Sequence, residues 1–289
     1  MTRFLLPISK DELDLDLTLD CGQVFSWWHL NGSWVGLDGN EGFCLRQSAT
    51  EIEVITTSTQ DHFFRLFQLH SSQREFQSYV LERDADFAEP FHRYPGLRIL
   101  QPNDPVPVFF CFMCSSNNHL SRIRSMVQTL YSLSSQSLAI SEHTLRVFPS
   151  IETLAGTSEK FLREQGFGYR GATLPAAAQE LLSRGGQSYL QELRTWTYCE
   201  AHAALRSIPG IGPKLADCIL LFGLGFGEAV PVDTHLWQQA VQRYFPEWHG
   251  KALTPGRYQA VGDHLRSLFG DQSGWAHEYL FVENLRRNR

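Results

Sequence analysis

Residues 205–236, LRSIPGIGPKLADCILLFGLGFGEAVPVDTHL, decide how the rest of the chain is read. They predict a helix, a tight hairpin, a second helix, a loop and a third helix. Just upstream, Thr197 and Glu200 have the spacing of a capping box, so the first helix starts there and runs to about Ser207. Pro209, Gly210 and Gly212 break it. Pro213 suits the first position of the next helix, where its missing N–H would be unsatisfied anyway. Lys214 follows at once, and Leu215, Ala216, Cys218, Ile219, Leu220, Leu221 and Phe222 form an apolar helix body.

Two glycines around Ile211 let the backbone turn sharply and approach another molecule closely. The free N–H groups at the start of the next helix then form an anion site that a phosphate diester fits. A plain Gly-Pro turn accounts for the same letters. The second feature is Pro231-Val232-Asp233-Thr234-His235. As a structural residue, Asp233 caps a helix. As a functional one, it is a carboxylate at a helix N-terminus facing Lys214 across the hairpin. A lysine at the mouth of an apolar pocket can lose its proton and attack an electrophilic carbon, forming a Schiff base. A nearby carboxylate can hold the amine, take protons and stabilise a cationic sugar.

With 289 residues and 43% apolar content, the chain can bury a full core and divides into two or three subdomains. No run of eighteen apolar residues is present, so no membrane span is expected. MTRFLLPISKDELDL is too short in its apolar part, and too soon acidic, for a signal peptide. Six cysteines without a disulfide framework fit a reducing, cytoplasmic setting, and Cys111 and Cys114 read as core. No thiolate or His/Asp/Glu spacing points to a metal, so no cofactor is expected. The net charge of −6 counts against a nucleic-acid partner, for which a basic domain is the usual footprint. Local cations at Arg122, Arg124, Arg163, Arg170 and Arg286–Arg289 soften that objection.

Residues 12–57 read as short antiparallel strands (24–28, 33–37, 42–47 and 51–56), with Trp27, Trp28 and Trp34 in the core. From Asp61 the pattern turns helical, and the prolines between 84 and 103 mark a crossing. The expected fold class is α+β: an N-terminal antiparallel sheet domain over 1–97, then a mostly helical region over 98–289. In the second part, 105–114 predicts a buried helix ended by Ser115–Asn118, and 119–133 predicts another. Short amphipathic helices follow over 150–195, interrupted by Gly166-Phe167-Gly168-Tyr169-Arg170. The hairpin occupies about 197–222 and the aspartate loop 229–235. Helices then run from His235 to about Tyr244, from Thr254-Pro255, and from Gly274 to Leu285.

KLADC and VPVDTHLW resemble the 8-oxoguanine DNA glycosylase/lyase branch of the helix-hairpin-helix glycosylases. So do CGQVFSWW, FCFMCSSNNHLSRI, GFGYR and GWAHEYLF, in order over nearly the whole chain. The resemblance implies a base-excision repair enzyme, both N-glycosylase and abasic-site lyase, acting on 8-oxoguanine chiefly opposite cytosine. Lys214 would be the nucleophile and Asp233 its partner. The Gly22 carbonyl would recognise the oxidised base, with Cys218 and Phe281 sandwiching it. Asn117 and Arg122 would satisfy the cytosine left behind, and Tyr169 would wedge into the gap. Gly210, Gly212, His235 and Arg170 would meet the DNA backbone. Without the resemblance, Asn117 reads as a cap, Arg122 as a solvated face and Gly22 as a turn residue.

Two positions depart from the family pattern: His119 replaces a third Asn, and His277 replaces the glutamine that reads the Watson–Crick edge. With an ordinary pKa of about 6.5, His277 is expected to titrate within the assay range. The implied partner is double-stranded DNA containing oxidised guanine, met by a monomer with no membrane role, in nucleoid or nucleus. Two rivals stay open: a related glycosylase with another lesion preference, and a non-catalytic DNA-binding module. No cysteine follows Cys218, so the iron–sulfur loop of some relatives is not expected.

Overall fold

Ile52, Val54 and Thr56 alternate with more exposed neighbours, and each turns its side chain inward. This is the two-residue period of a half-buried strand. The computed structural model describes residues Met1–Arg287. Its first layer is a five-stranded antiparallel sheet: β1 (Thr2–Pro7), β2 (Trp27–Leu30), β3 (Ser33–Asp38), β4 (Glu41–Gln47) and β5 (Glu51–Thr56). The strand order is β1-β5-β4-β3-β2. Two features depart from expectation. β1 lies outside the stretch read as β and pairs with β5 in the register Thr2↔Thr56 to Pro7↔Glu51. Within that stretch, Leu15–Leu19 is a short helix, α1, capped by Asp14.

Helices α2 (Gln60–Leu66) and α3 (Gln73–Leu81) follow, with Thr59 and Ser72 as side-chain N-caps. Phe63 and Phe67 pack against Phe43, Trp27 and Val54 to form the sheet's core. The proline-marked crossing holds α4 (Ala88–Arg93). The helical layer then runs through α5 (Pro105–Met113) and α6 (Leu120–Ser132). A small hairpin, β6 (Ser137–Ile140) with β7 (His143–Arg146), was not foreseen in the sequence. Next come α7 (Ile151–Ala155), α8 (Glu159–Glu164), α9 (Arg170–Arg184) and α10 (Gln187–Leu193). The last five helices are α11 (Tyr198–Arg206), α12 (Pro213–Ile219), α13 (Thr234–Arg243), α14 (Pro255–Phe269) and α15 (Ser273–Arg287). Among the described residues, no helix is long and apolar enough to cross a membrane.

The central helix α5 is buried at nearly every position because it lies against α9, α10 and α12 at once. Around the decisive stretch, Thr197 and Glu200 form the capping box. Gly212 is the N-cap of α12, Pro213 its first residue, and Asp233 caps α13. Past Ile219 the helix widens into a π-helical turn over Leu220–Leu224, rather than continuing as a regular apolar α-helix. Such bulges change the direction of the side chains beyond them.

Buried polar bonds join the sheet to the helices. Gln23 is 1% exposed. Its Nε2 donates to the carbonyls of Thr18 and Arg98, and its Oε1 accepts from Leu100 N–H, all at 2.8 Å. The buried Arg98 guanidinium donates to the carbonyls of Glu12, Gln68 and Ser71. Asp38 accepts from the N–H groups of Asn103 and Asp104 and pairs with His62. Leaving a buried backbone group unsatisfied costs about 1–3 kcal/mol. Gln23→Ala orphans the Arg98 carbonyl and the Leu100 N–H and leaves the Thr18 carbonyl only the Cys21 thiol, so urea unfolding should show a loss of about 2 kcal/mol or more. A loss below half of that would mean water replaces the amide.

Candidate active site

Three helices bring the predicted residues to one cavity of about 120 Å³. Lys214 and Cys218 are four residues apart, so they share one face of α12 and its extension. Asp233 arrives at the N-terminus of α13, where its Oδ1 accepts from His235 N–H (2.8 Å) and Leu236 N–H (2.9 Å). His277 and Phe281, one turn apart on α15, form the opposite wall, with ring centroids 6.1 Å apart and near-parallel planes. Gly22 closes the cavity from the sheet side. Its φ of +97° favours glycine, and a Cβ there would come within 3.2 Å of Leu120.

Lys214 is half-buried, with its Nζ 5.6 Å from the Phe112 ring centroid. Burial disfavours its ammonium, but Cys218, Asp233 and Glu278 together outweigh that and raise its pKa above the ordinary lysine value. Burial pushes the Cys218 thiol up to about 12, so at neutral pH it is uncharged. The charge that holds the ammonium at neutral pH therefore comes from the carboxyl groups.

His277 corrects one expectation. Burial lowers its pKa to about 4, with the nearby Lys214 acting in the same direction. The ring is neutral throughout the usual assay range and does not titrate within it. Glu278, which sequence reading passed over, also lines the cavity. It is 1% exposed, and burial, then the charge of Asp233, push its pKa up to about 7 against the Cys21 hydrogen bond and Lys214. A signal was present: Glu278 stands three residues before Phe281 and seven before Leu285, on the inward face of α15.

The residues expected to meet DNA lie outside the cavity, apart from His235. The hairpin exposes Pro209, Gly210 and Gly212 while Ile208 and Ile211 anchor it. Gly210 has φ +84°, and a Cβ there would press on Thr173 and Met113. His235 packs edge-on against Phe281, and its Nδ1 is 2.7 Å from Asn284 Oδ1. Asn117 is exposed with φ +48°, a left-handed conformation that Asn tolerates. Arg122 donates to the Gly166 carbonyl, joining the Asn117 loop to that of Tyr169, whose ring is 54% exposed. His119 is the exposed N-cap residue of α6, without a side-chain cap bond.

Arg170 is held in the interior of the free chain. It is 5% exposed, and its guanidinium donates to the carbonyls of Met113, the last residue of α5, and of Ser116 beyond it. There it satisfies the C-terminus of α5 and stacks near the Tyr169 ring. Of the proposed basic tail, Asn288 and Arg289 lie outside the described residues.

Glu278 and His277 affect stability in opposite ways. Between the ordinary 4.5 and about 7, the folded chain keeps a Glu278 proton that the unfolded chain has lost, so stability falls as pH rises. Between about 4 and 6.5, the unfolded chain carries the extra His277 proton, so stability rises with pH. Glu278→Gln removes the falling limb. The stability of the variant relative to the parent should increase between pH 4.5 and 7.5 by up to about 3 kcal/mol, measured by urea unfolding. A difference independent of pH would show that Glu278 has the same pKa folded and unfolded.

The family model described as "8-oxoguanine DNA glycosylase, N-terminal domain" matches residues 5–106. The N-glycosylase/DNA lyase OGG1 of Arabidopsis thaliana is 34% identical, over 98% of this chain and 80% of the plant protein. The N-glycosylase/DNA lyase of Saccharomyces cerevisiae is 29% identical, over 97% of this chain and 85% of the yeast protein. The fold is shared with the 8-oxoguanine glycosylase/lyase of Clostridium acetobutylicum, solved with double-stranded DNA containing cytosine opposite 8-oxoguanine. That likeness has a TM-score of 0.85 and 24% identity, covering 96% of this chain and 93% of that one. With a relative this similar over almost its full length, the chain belongs to the 8-oxoguanine DNA N-glycosylase/DNA lyase family.

Proposed function

We propose that this protein excises 8-oxoguanine, chiefly opposite cytosine, from duplex DNA and then nicks the abasic site by β-elimination. One observation supports the reading above the rest: Lys214, Cys218, Asp233, His277, Phe281 and the Gly22 turn all line a single cavity. Only a base rotated out of the duplex could reach a group so enclosed. Cys218 and Phe281 would take its two faces. The Gly22 carbonyl would accept the N–H that oxidation adds at the five-membered ring.

Lys214 must first give up its proton. Its amine then attacks the anomeric carbon, and the bond from that carbon to the base breaks, the base leaving with the electron pair. Loss of a second proton and opening of the sugar ring give the imine. Removal of a proton from the neighbouring sugar carbon then expels the 3′ phosphate. Asp233 would stabilise the positive charge on the sugar and orient the amine. Its cap bonds use Oδ1, so the second oxygen is not required by the helix.

Asn117, Arg122 and Tyr169 would fill the space vacated in the duplex and satisfy the unpaired cytosine. The exposed Gly210–Gly212 backbone and His235 would hold phosphates. The protein would act as a monomer without a metal, on DNA in the nucleoid or, in a eukaryote, the nucleus.

Lys214→Gln should retain duplex binding while losing both base release and borohydride cross-linking to abasic DNA. Full cross-linking by that variant would remove Lys214 from the mechanism, and a parent protein that never cross-links would be a binding module. Asp233→Asn should slow excision at least a hundredfold, about 3 kcal/mol at 1.4 kcal/mol per decade. Asn caps a helix nearly as well as Asp, so the melting temperature should change little. A parallel collapse of stability would assign the loss to the cap.

A further inference from the structure

Helix α15 carries two fully buried glutamates with opposite surroundings. Glu283, 0% exposed, is paired with the guanidinium groups of Arg93, Arg243 and Arg287. That is how a buried carboxylate is normally accommodated. Glu278, 1% exposed, has no arginine against it, and its Oε1 has no hydrogen-bond partner among the described residues. The groups that face it are the Cys21 thiol from the loop after α1, Lys214 on α12, Asp233 at the head of α13 and neutral His277 beside it. The His277 Nδ1, 3.9 Å from Glu278 Oε2, is also buried without a partner. An orphaned buried polar atom is costly, and here it belongs to a residue that lines the cavity that would receive a base.

We propose that Glu278 is a second reader of the flipped base, accepting hydrogen bonds from the adjacent N1–H and exocyclic amine of a guanine-type edge. The inference rests on the excision reading above. A carboxylate offers two acceptor oxygens side by side, the complement of two neighbouring N–H donors. It repels an edge that presents a bare ring nitrogen. Its pKa of about 7 leaves much of it ionised at neutral pH, and N–H donors from the base would favour that form further. In the helix, Glu278 is placed to act with the neighbouring His277, which holds the position of the family's edge-reading glutamine.

The test is single-turnover excision from duplexes holding either 8-oxoguanine or 8-oxohypoxanthine, which keeps N1–H but lacks the amine. A site built around a donor discriminates strongly against the analogue without it. The parent protein should excise 8-oxoguanine at least tenfold faster, and Glu278→Gln should reduce that ratio to within threefold by slowing 8-oxoguanine more than 8-oxohypoxanthine, which loses only the N1–H bond. Glu278→Ala should reduce it likewise, and Glu278→Gln, which keeps the side-chain volume and an acceptor for the Cys21 thiol, should melt no lower than the parent at pH 7.5. Equal slowing on both substrates would overturn the proposal, because Glu278 would then act through Lys214 or the fold. An unchanged ratio would overturn it as well. Borohydride trapping of the parent on abasic DNA separates the two levels: trapping with an unaltered ratio removes only the role of Glu278. No trapping and no excision removes the reading beneath it.

Discussion

The Gln23 side chain is the constraint on which the arrangement of the site depends. Its amide takes two carbonyls and one N–H from two segments far apart in sequence, those around Thr18 and Leu100. Because it is buried, each of those bonds must be kept or replaced. Gly22 precedes it directly, so the turn that closes the cavity is fixed by the residue that joins sheet to helices. Arg98, on the same connecting segment, repeats the device with the carbonyls of Glu12, Gln68 and Ser71, and Asp38 does so with the N–H groups of Asn103 and Asp104. Apolar packing alone would hold the two layers together, but it would tolerate small slides between them. Satisfied polar bonds in the interior permit a single register.

Within the cavity the same burial works differently on each group. It keeps His277 neutral, keeps Cys218 as a thiol and moves Glu278 close to neutrality. Lys214 is the exception: burial disfavours its charge, and Cys218, Asp233 and Glu278 together outweigh it. In the free protein the amine is thus stored in its protonated, unreactive form. Anything that weakens the carboxyl charges around it, or adds positive charge in the sugar, makes proton release easier. Under the proposed function, that would couple the reactivity of Lys214 to occupation of the cavity.

What could be read from the letters was local. The capping box at Thr197, Pro213 opening α12, the Asp233 cap and the burial of Cys111 and Cys114 depend on neighbours a few residues away. What was missed depends on distant ones. β1 is a strand because β5 offers it an edge, and its own alternation is weak, with Leu5 exposed. Arg170 was named as a local cation, and its bonds to carbonyls at the end of α5, distant in sequence, could not be seen. His277 was given an ordinary pKa because its depth could not be seen. The motifs announced a site, but the convergence of Gly22, Lys214 and Phe281 on one cavity is a property of the tertiary fold.

The net charge of −6 is then less paradoxical for a protein of DNA. Many arginines never face solvent as free cations: Arg98, Arg170 and Arg194 hold carbonyls, and Arg243 serves Glu283. Of the local cations named from the sequence, Arg170 is among these interior groups. What the structure turns outward on the hairpin is backbone, at Pro209, Gly210 and Gly212, with the N-terminus of α12 behind it. Backbone N–H groups bind a phosphate oxygen without exchanging a counter-ion for a side-chain cation. The acidic surface elsewhere discourages unspecific adhesion to the duplex. A protein built this way would gain its hold on DNA from fit at the hairpin and at the Asn117–Tyr169 edge more than from its overall field.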